Sequence, residues 1–328
     1  MKVIALVPVR NEAWVLEHSL ASLSRFCDVV IVSDQGSSDG SQDICRRFPK
    51  VVLLETKGND PTDRLPVRAR WRLLDAARGY DGNNLLWCTD ADELISPPAV
   101  QAFLAREGDR LTAPRAISCR YYHAWRSANR YRNDLSQYGP AWKVIAVVDD
   151  RKLDYPRALD APPLHEPRTP WDDDPHVLQV EDLKLFHLQY AVWRRNQMKQ
   201  AWYRSLEWLD GRTTAGDINT KYSITMAPFY VRTTPVPPAW LDGITLPDAR
   251  VDDEPSWHDA EMLRLFDEHG IERFEGLEIW HLPVLCREFV RRTGRDPKPD
   301  LSHHAPLSRR IVRFSRRMVN SVKRRIAS

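Results

Sequence analysis

Val3-Ile4-Ala5-Leu6-Val7-Pro8-Val9-Arg10-Asn11-Glu12 is a short β-branched apolar run that breaks abruptly into a polar turn. Its length and content predict a buried strand, because a strand covered on both faces has no polar alternate positions. The segments after it repeat the theme. A helical pattern carrying Trp14, Leu16, Leu20, Leu23 and Phe26 runs to about residue 26, and Asn11 is placed to cap it. Val29-Val30-Ile31-Val32 predicts a second strand, ending in the turn-forming cluster Ser33-Asp34-Gln35-Gly36-Ser37-Ser38-Asp39-Gly40-Ser41. Residues 51–54 predict a third strand and residues 64–77 a helix. Leu85-Leu86-Trp87-Cys88 predicts a fourth strand, ending at Thr89-Asp90-Ala91-Asp92-Glu93. Strand–helix alternation with continuous apolar strands predicts an α/β domain, its mostly parallel sheet flanked by helices.

In such sheets ligands bind beyond the carboxyl ends of the strands. Three polar loops, residues 8–12, 34–41 and 90–93, are thereby expected along one crevice. Asp90-x-Asp92 is the strongest chemical signal there. Two carboxylates two residues apart on an extended segment share one hard cation, or divide the work between a cation and a ribose hydroxyl. Taken alone the pair is an ordinary acidic turn. Asp34 and Asp39 on the neighbouring loop turn the reading toward metal–nucleotide binding.

Other nucleotide folds are excluded by the residues after the first strand. A dinucleotide-binding domain needs Gly-x-Gly-x-x-Gly there, and this chain has Val9-Arg10-Asn11-Glu12-Ala13. Gly-x-x-x-x-Gly-Lys-Ser/Thr is absent throughout. The first strand does not end in the aspartate that an aspartyl-phosphate enzyme needs.

Composition narrows the class further. The chain has 328 residues, 48 Lys and Arg against 45 Asp and Glu, and a net charge of +3. The charge is unevenly spread. Eight cations and no carboxylate follow Asp300, so this +8 tail leaves a body of −5. An acidic body disfavours a protein that coats nucleic acid, and no nucleic-acid module occurs in the sequence. No apolar run reaches the roughly 18–20 residues that span a bilayer. The N-terminal apolar run is too short for a signal peptide. Five widely spaced cysteines with no Cys-x-x-Cys pair suggest neither a disulfide framework nor a zinc ribbon. A cytoplasmic compartment is expected.

The second half is less regular. Strands are expected over residues 116–122, 143–148 and 183–187, a long helix over 191–209 and another over 261–269, ending at Gly270. Beyond about Pro306, Leu307, Ile311, Phe314, Met318, Val322 and Ile326 recur at helical spacing with the cations between them. A basic amphipathic helix over 306–326 is the form that lies on anionic membranes, so peripheral attachment to the inner membrane face is expected.

At residues 7–12, 34–41 and 90–93 the sequence resembles the three nucleotide-sugar motifs of family 2 glycosyltransferases with the GT-A fold. Arg70 stands where similar proteins place an arginine. More weakly, Leu164-His165-Glu166, Leu185-Phe186-His187 and the basic residues 194–204 are similar to the second half of bacterial members acting on lipopolysaccharide cores and related glycans.

The resemblance implies a nucleotide-sugar half over 1–110, an acceptor-side half of the same domain over 111–300, and the tail over 301–328. It implies that Pro8, Val9, Asn11, Glu12, Arg70 and Ala91 line the donor pocket. Asp34 would bond the base, uracil being favoured, with Asp39 supporting base or ribose. Asp90 would hold ribose or a metal-bound water, and Asp92 would ligate Mg²⁺ or Mn²⁺ across the diphosphate, with His187 completing the metal shell. Glu166 would be the general base, with Asp182 as runner-up and Glu93 as a third candidate. The implied reaction is an inverting sugar transfer from a nucleoside-diphosphate sugar to a glycan or lipid-linked acceptor. Two readings of other classes stand beside it: a nucleic-acid-modifying or nucleic-acid-binding protein using the basic tail, and a non-catalytic sugar-binding scaffold.

Overall fold

The computed structural model describes residues 1–56, 66–136, 138–155, 168–170, 177–226, 231–248 and 255–300. In chain order the first elements are β1 (Val3–Val9), α1 (Ala13–Leu23), β2 (Val29–Asp34), α2 (Ser41–Arg46), β3 (Val51–Glu55), α3 (Pro66–Ala77) and β4 (Leu85–Cys88). Then come β5 (Glu93–Ile95), α4 (Pro97–Glu107), β6 (Arg115–His123), β7 (Arg130–Arg132), β8 (Ala141–Val148) and β9 (Val177–His187). The chain continues with α5 (Trp193–Leu209), α6 (Ala215–Met226), β10 (Thr233–Pro235), α7 (Trp257–His269) and α8 (Pro283–Thr293).

Eight strands form one sheet in the order β3-β2-β1-β4-β8-β6-β9-β5. Pairings among β3, β2, β1 and β4 are parallel, β8 is antiparallel to both neighbours, β6 and β9 are parallel, and β5 runs antiparallel to β9. The expected α/β architecture is present. The run Val3–Val7 is apolar throughout because both of its faces are covered. Val3, Ala5 and Val7 pack into a core with Leu16 and Leu20 of α1, whereas Ile4 and Leu6 pack on the other side with Leu73 and Leu74 of α3. An additional apolar cluster joins α5 to α8 through Met198, Met262, Phe266 and Phe289. No helix among the described residues is long and apolar enough to cross a membrane.

Two local expectations are corrected. Asn11 does not cap α1. It adopts the left-handed region (φ 54°), and its Oδ1 accepts from the Ser38 amide at 2.7 Å. The Ala13 amide, first in the helix, is instead satisfied by Asp39 Oδ2 at 2.9 Å, across the loop that follows β2. The strand expected over residues 183–187 begins earlier, at Val177, so Glu181-Asp182 lies within β9. Cys119 pairs with Val180 and the next residue, Arg120, with Lys184, so residues 181–183 bulge out of register. The acidic pair can interrupt the apolar pattern because it turns to solvent, and this hides the strand's true start at Val177.

Candidate active site

Three loops at the carboxyl ends of β1, β2 and β4 meet, as the parallel topology requires. The first two are stitched together by their own polar groups. The Asn11 amide donates to Ser37 Oγ at 2.8 Å and the Glu12 amide to Ser41 Oγ at 3.1 Å. Asp34 is fully buried at the end of β2. Its Oδ2 accepts from the Gly36 and Ser37 amides, each at 3.1 Å, and from Gln42 Nε2 at 2.7 Å. Gly36 takes φ 80° in this turn, a conformation that an L side chain resists.

The strand end at β4 is a charge network. Arg70, from α3, donates Nη2 to Asp90 Oδ1 at 2.6 Å. Arg168 donates Nη2 to Asp90 Oδ2 at 3.1 Å and clasps Glu93 with both terminal nitrogens. Burial would push the Asp90 carboxyl up in pKa, but Arg168 and Arg70 outweigh it and hold the group well below the usual carboxylate range. Glu93 is fully used. Besides Arg168 it accepts from Thr89 Oγ1, the Asp90 amide and Tyr121 OH, each at 3.0 Å. Its carboxylate anchors Arg168 and is not free to take a proton from an acceptor.

Asp92 stands apart from this network. Its Oδ2 lies 3.4 Å from His187 Nε2, with the two side chains 8% and 11% exposed. The closeness follows from register. β5 and β9 pair so that Glu93 faces His187, and the Leu188 amide donates to the Asp92 carbonyl at 2.8 Å. Burial opposes ionisation of Asp92, yet His187 and then Lys199 bring its pKa down to about 2. A carboxylate oxygen and an imidazole nitrogen at this spacing fit two corners of a divalent cation's shell, since donor bonds near 2.1 Å from one cation place cis donors roughly 3 Å apart. Among the described residues no cluster of three or more His, Cys, Asp or Glu could hold a metal.

The opposite wall comes from α5. Arg195 Nη2 donates to the Asn11 carbonyl at 2.8 Å and to Glu12 Oε2 at 3.0 Å. Trp14 Nε1 donates to the same Glu12 oxygen at 2.6 Å. Burial raises the Glu12 pKa against the pull of Arg195 and Lys199. Lys199, one turn beyond Arg195, is raised in pKa: burial lowers it, but Tyr203, Asp92 and Glu12 prevail. A cleft of ≈ 380 Å³ opens beside this wall, with Trp14, Asp39, Arg195 and Trp257 on its lining.

The structure therefore gathers Asn11, Glu12, Asp34, Asp39, Arg70, Asp90, Asp92 and His187 around the strand ends, with Pro8 and Val9 closing β1 and Ala91 in the turn after β4. It does not bring Asp182 there. That side chain is 74% exposed, 3.5 Å from Arg106 of α4, on the bulge midway along β9. Glu166 and the tail over 301–328 lie outside the described residues. Arg168, Lys199 and His123 were not singled out from sequence. The i, i+4 spacing of Arg195 and Lys199 on a basic helix was the available signal for that pair, whereas nothing local marks Arg168 or His123.

Residues 4–113 match the family model described as Glycosyl transferase family 2. Among solved structures, glucosyl-3-phosphoglycerate synthase from Mycobacterium tuberculosis in complex with phosphoglyceric acid is 24% identical, over 37% of this chain and 44% of that one, at a TM-score of 0.28. The same synthase in complex with Mn²⁺, uridine-diphosphate and glucosyl-3-phosphoglycerate is 22% identical over 37% and 44%, also at 0.28. S. aureus TarS 1–349 is 12% identical over 90% of this chain and 92% of that one, at 0.39. At these scores the likenesses carry no argument about the site, and the chain spans under half the length of the synthase. No curated protein matches. The family match covers the strands and loops that carry Asp34, Arg70, Asp90 and Asp92, and it is to glycosyl transferase family 2 that residues 4–113 are similar.

Proposed function

We propose that the protein transfers a sugar from a nucleoside-diphosphate sugar, a UDP-sugar being favoured, to a hydroxyl of a glycan or lipid-linked acceptor, with inversion at the anomeric carbon and with Mg²⁺ or Mn²⁺ at Asp92 and His187. The observation that carries this reading is the 3.4 Å approach of His187 Nε2 to Asp92 Oδ2, on the same edge of the sheet as the buried Asp34.

Asp34, buried and fixed by its donors, holds the turn of residues 35–37 against which the donor's base would lie, and the exposed Asp39 on the same loop would support base or ribose. Asp90, oriented by Arg70 and Arg168, accepts from ribose. Arg195 and Lys199 set positive charge on the wall facing Asp92, where the diphosphate would lie. When bound, the divalent cation offsets the charge that the departing diphosphate gains. The acceptor oxygen forms a bond to the anomeric carbon as the bond from that carbon to the diphosphate oxygen breaks. The hydroxyl proton passes to a carboxylate, for which Glu166 is proposed. The basic segment 306–326 is proposed to hold the enzyme on an anionic membrane, near a lipid-linked acceptor.

Release of nucleoside diphosphate from a panel of nucleotide sugars, with and without Mn²⁺, tests the reading. Metal-dependent release from one donor, lost in Asp92→Asn, is expected. Failure to release from every donor, with and without candidate acceptors, contradicts an enzyme and favours a sugar-binding scaffold.

A further inference from the structure

His187 Nδ1 lies 3.2 Å from Nδ1 of His123. Both residues sit at the ends of neighbouring parallel strands, and the register pairs them directly, so their side chains share one face. The two rings are held on several sides. Tyr121 packs edge-on to His123 at 4.9 Å between centroids and lies 5.6 Å from His187. Tyr190 closes the opposite side at 5.3 Å from His123 and 6.2 Å from His187, and Tyr138 lies 5.8 Å from His123. Neither ring can turn away without disturbing this cage.

A hydrogen bond between two Nδ1 atoms requires that one carry the proton and the other be bare. His187 has its other nitrogen, Nε2, toward Asp92. For His187 to ligate a cation there, Nε2 must be bare, which puts the ring's proton on Nδ1. That proton then needs an acceptor, and His123 Nδ1 is in place to be one. We infer that His123 is a positioning residue for the metal site: its bare Nδ1 accepts from His187 Nδ1–H and so fixes the tautomer and ring plane that present Nε2 beside Asp92. This rests on the proposed metal site and adds to it a residue from a third strand, β6. Metal-bound histidines commonly donate the other ring nitrogen to a carboxylate or carbonyl; here a neutral imidazole takes that part.

The test is Mn²⁺ affinity, read from the free-ion resonance in electron paramagnetic titrations, without any nucleotide. His123→Phe keeps a ring in the cage and removes the acceptor. His123→Ala removes it without adding bulk. His123→Asn places its amide oxygen close to where Nδ1 stood. Loss of the acceptor is expected to weaken Mn²⁺ binding by about 10- to 100-fold, the usual range for a ligand's supporting partner. The Asn variant is expected to stay within about threefold of wild type, as a tautomer role requires and a packing role does not. Either acceptor-free variant, shown folded by its near-ultraviolet dichroism and unfolding transition, that bound Mn²⁺ as wild type does would overturn the inference alone. Wild-type protein that bound no Mn²⁺ would overturn the metal reading and this inference together.

Discussion

Arg168 Nη2 lies 3.1 Å from Asp90 Oδ2, and the same guanidinium grips the buried carboxylate of Glu93. One arginine thus ties the first aspartate of the Asp-x-Asp pair to the carboxylate that follows the second. Asp90 is held as an oriented, charge-compensated acceptor by two arginines, while Asp92 has His187 as its close partner. The pair divides its work because its two members have different neighbours.

Replacing Arg168 by Gln strands Glu93 in the interior without its cation. Breaking a buried pair from one side costs about 3–5 kcal/mol. Urea unfolding is expected to show a loss of that order for Arg168→Gln. Adding Glu93→Gln removes the stranded charge, so the double variant is expected to recover part of the loss, with a coupling of about 0.5–3 kcal/mol.

Tyr203, Asp92 and Glu12 hold the Lys199 pKa above its usual value, and the proposed reading sets this lysine against the leaving diphosphate. Removing one donor aimed at developing charge costs about 10²–10³ in turnover. Lys199→Met is therefore expected to lower kcat by at least about 100-fold, and Lys199→Arg to restore part of it. Steady-state kinetics on the cognate donor checks both.

Asp182 offers the opposite outcome. Its side chain is solvent-exposed and lies 3.5 Å from Arg106, an arrangement typically worth under about 1 kcal/mol. Asp182→Asn is expected to leave kcat within about twofold of wild type and stability within about 0.5 kcal/mol, as measured by turnover and urea unfolding.

Two carboxyls with depressed pKa make the fold acid-sensitive in a defined window. Asp92 titrates at about 2 in the folded chain and Asp90 well below its ordinary value. In the unfolded chain both take up protons near pH 4, so between about pH 4 and 2 the unfolded state binds more protons and stability falls as pH falls. The Asp92 share is on the order of 2 kcal/mol, fully present above about pH 4 and lost toward pH 2. Asp92→Asn, studied in chelator, is expected to show a pH slope shallower by about one proton across that window.

The first half of this chain was legible because its information is local. Val3–Val7, Val29–Val32 and Leu85–Cys88 are apolar without alternation, and only a sheet covered on both faces accounts for that repeated pattern. Asp34, Asp90 and Asp92 then follow from where parallel strands end. Asn11 misled because a helix's first amide does not specify who satisfies it; the acceptor that does so, Asp39, is 26 residues away. Arg168 and His123 were hidden for a related reason. Arg168 reaches Glu93 across 75 residues, and His123 meets His187 across 64, through a β6–β9 register that contains a bulge. Long-range register of that kind leaves no trace in spacing.

A cation held at Asp92 and His187 is tested most directly by calorimetric titration of UDP into the protein, with Mn²⁺ and then with chelator, in wild type and Asp92→Asn. UDP binding is expected to require Mn²⁺ and to be lost in the variant while the variant's unfolding transition stays intact. UDP affinity unchanged by both chelator and substitution would contradict a cation at that site.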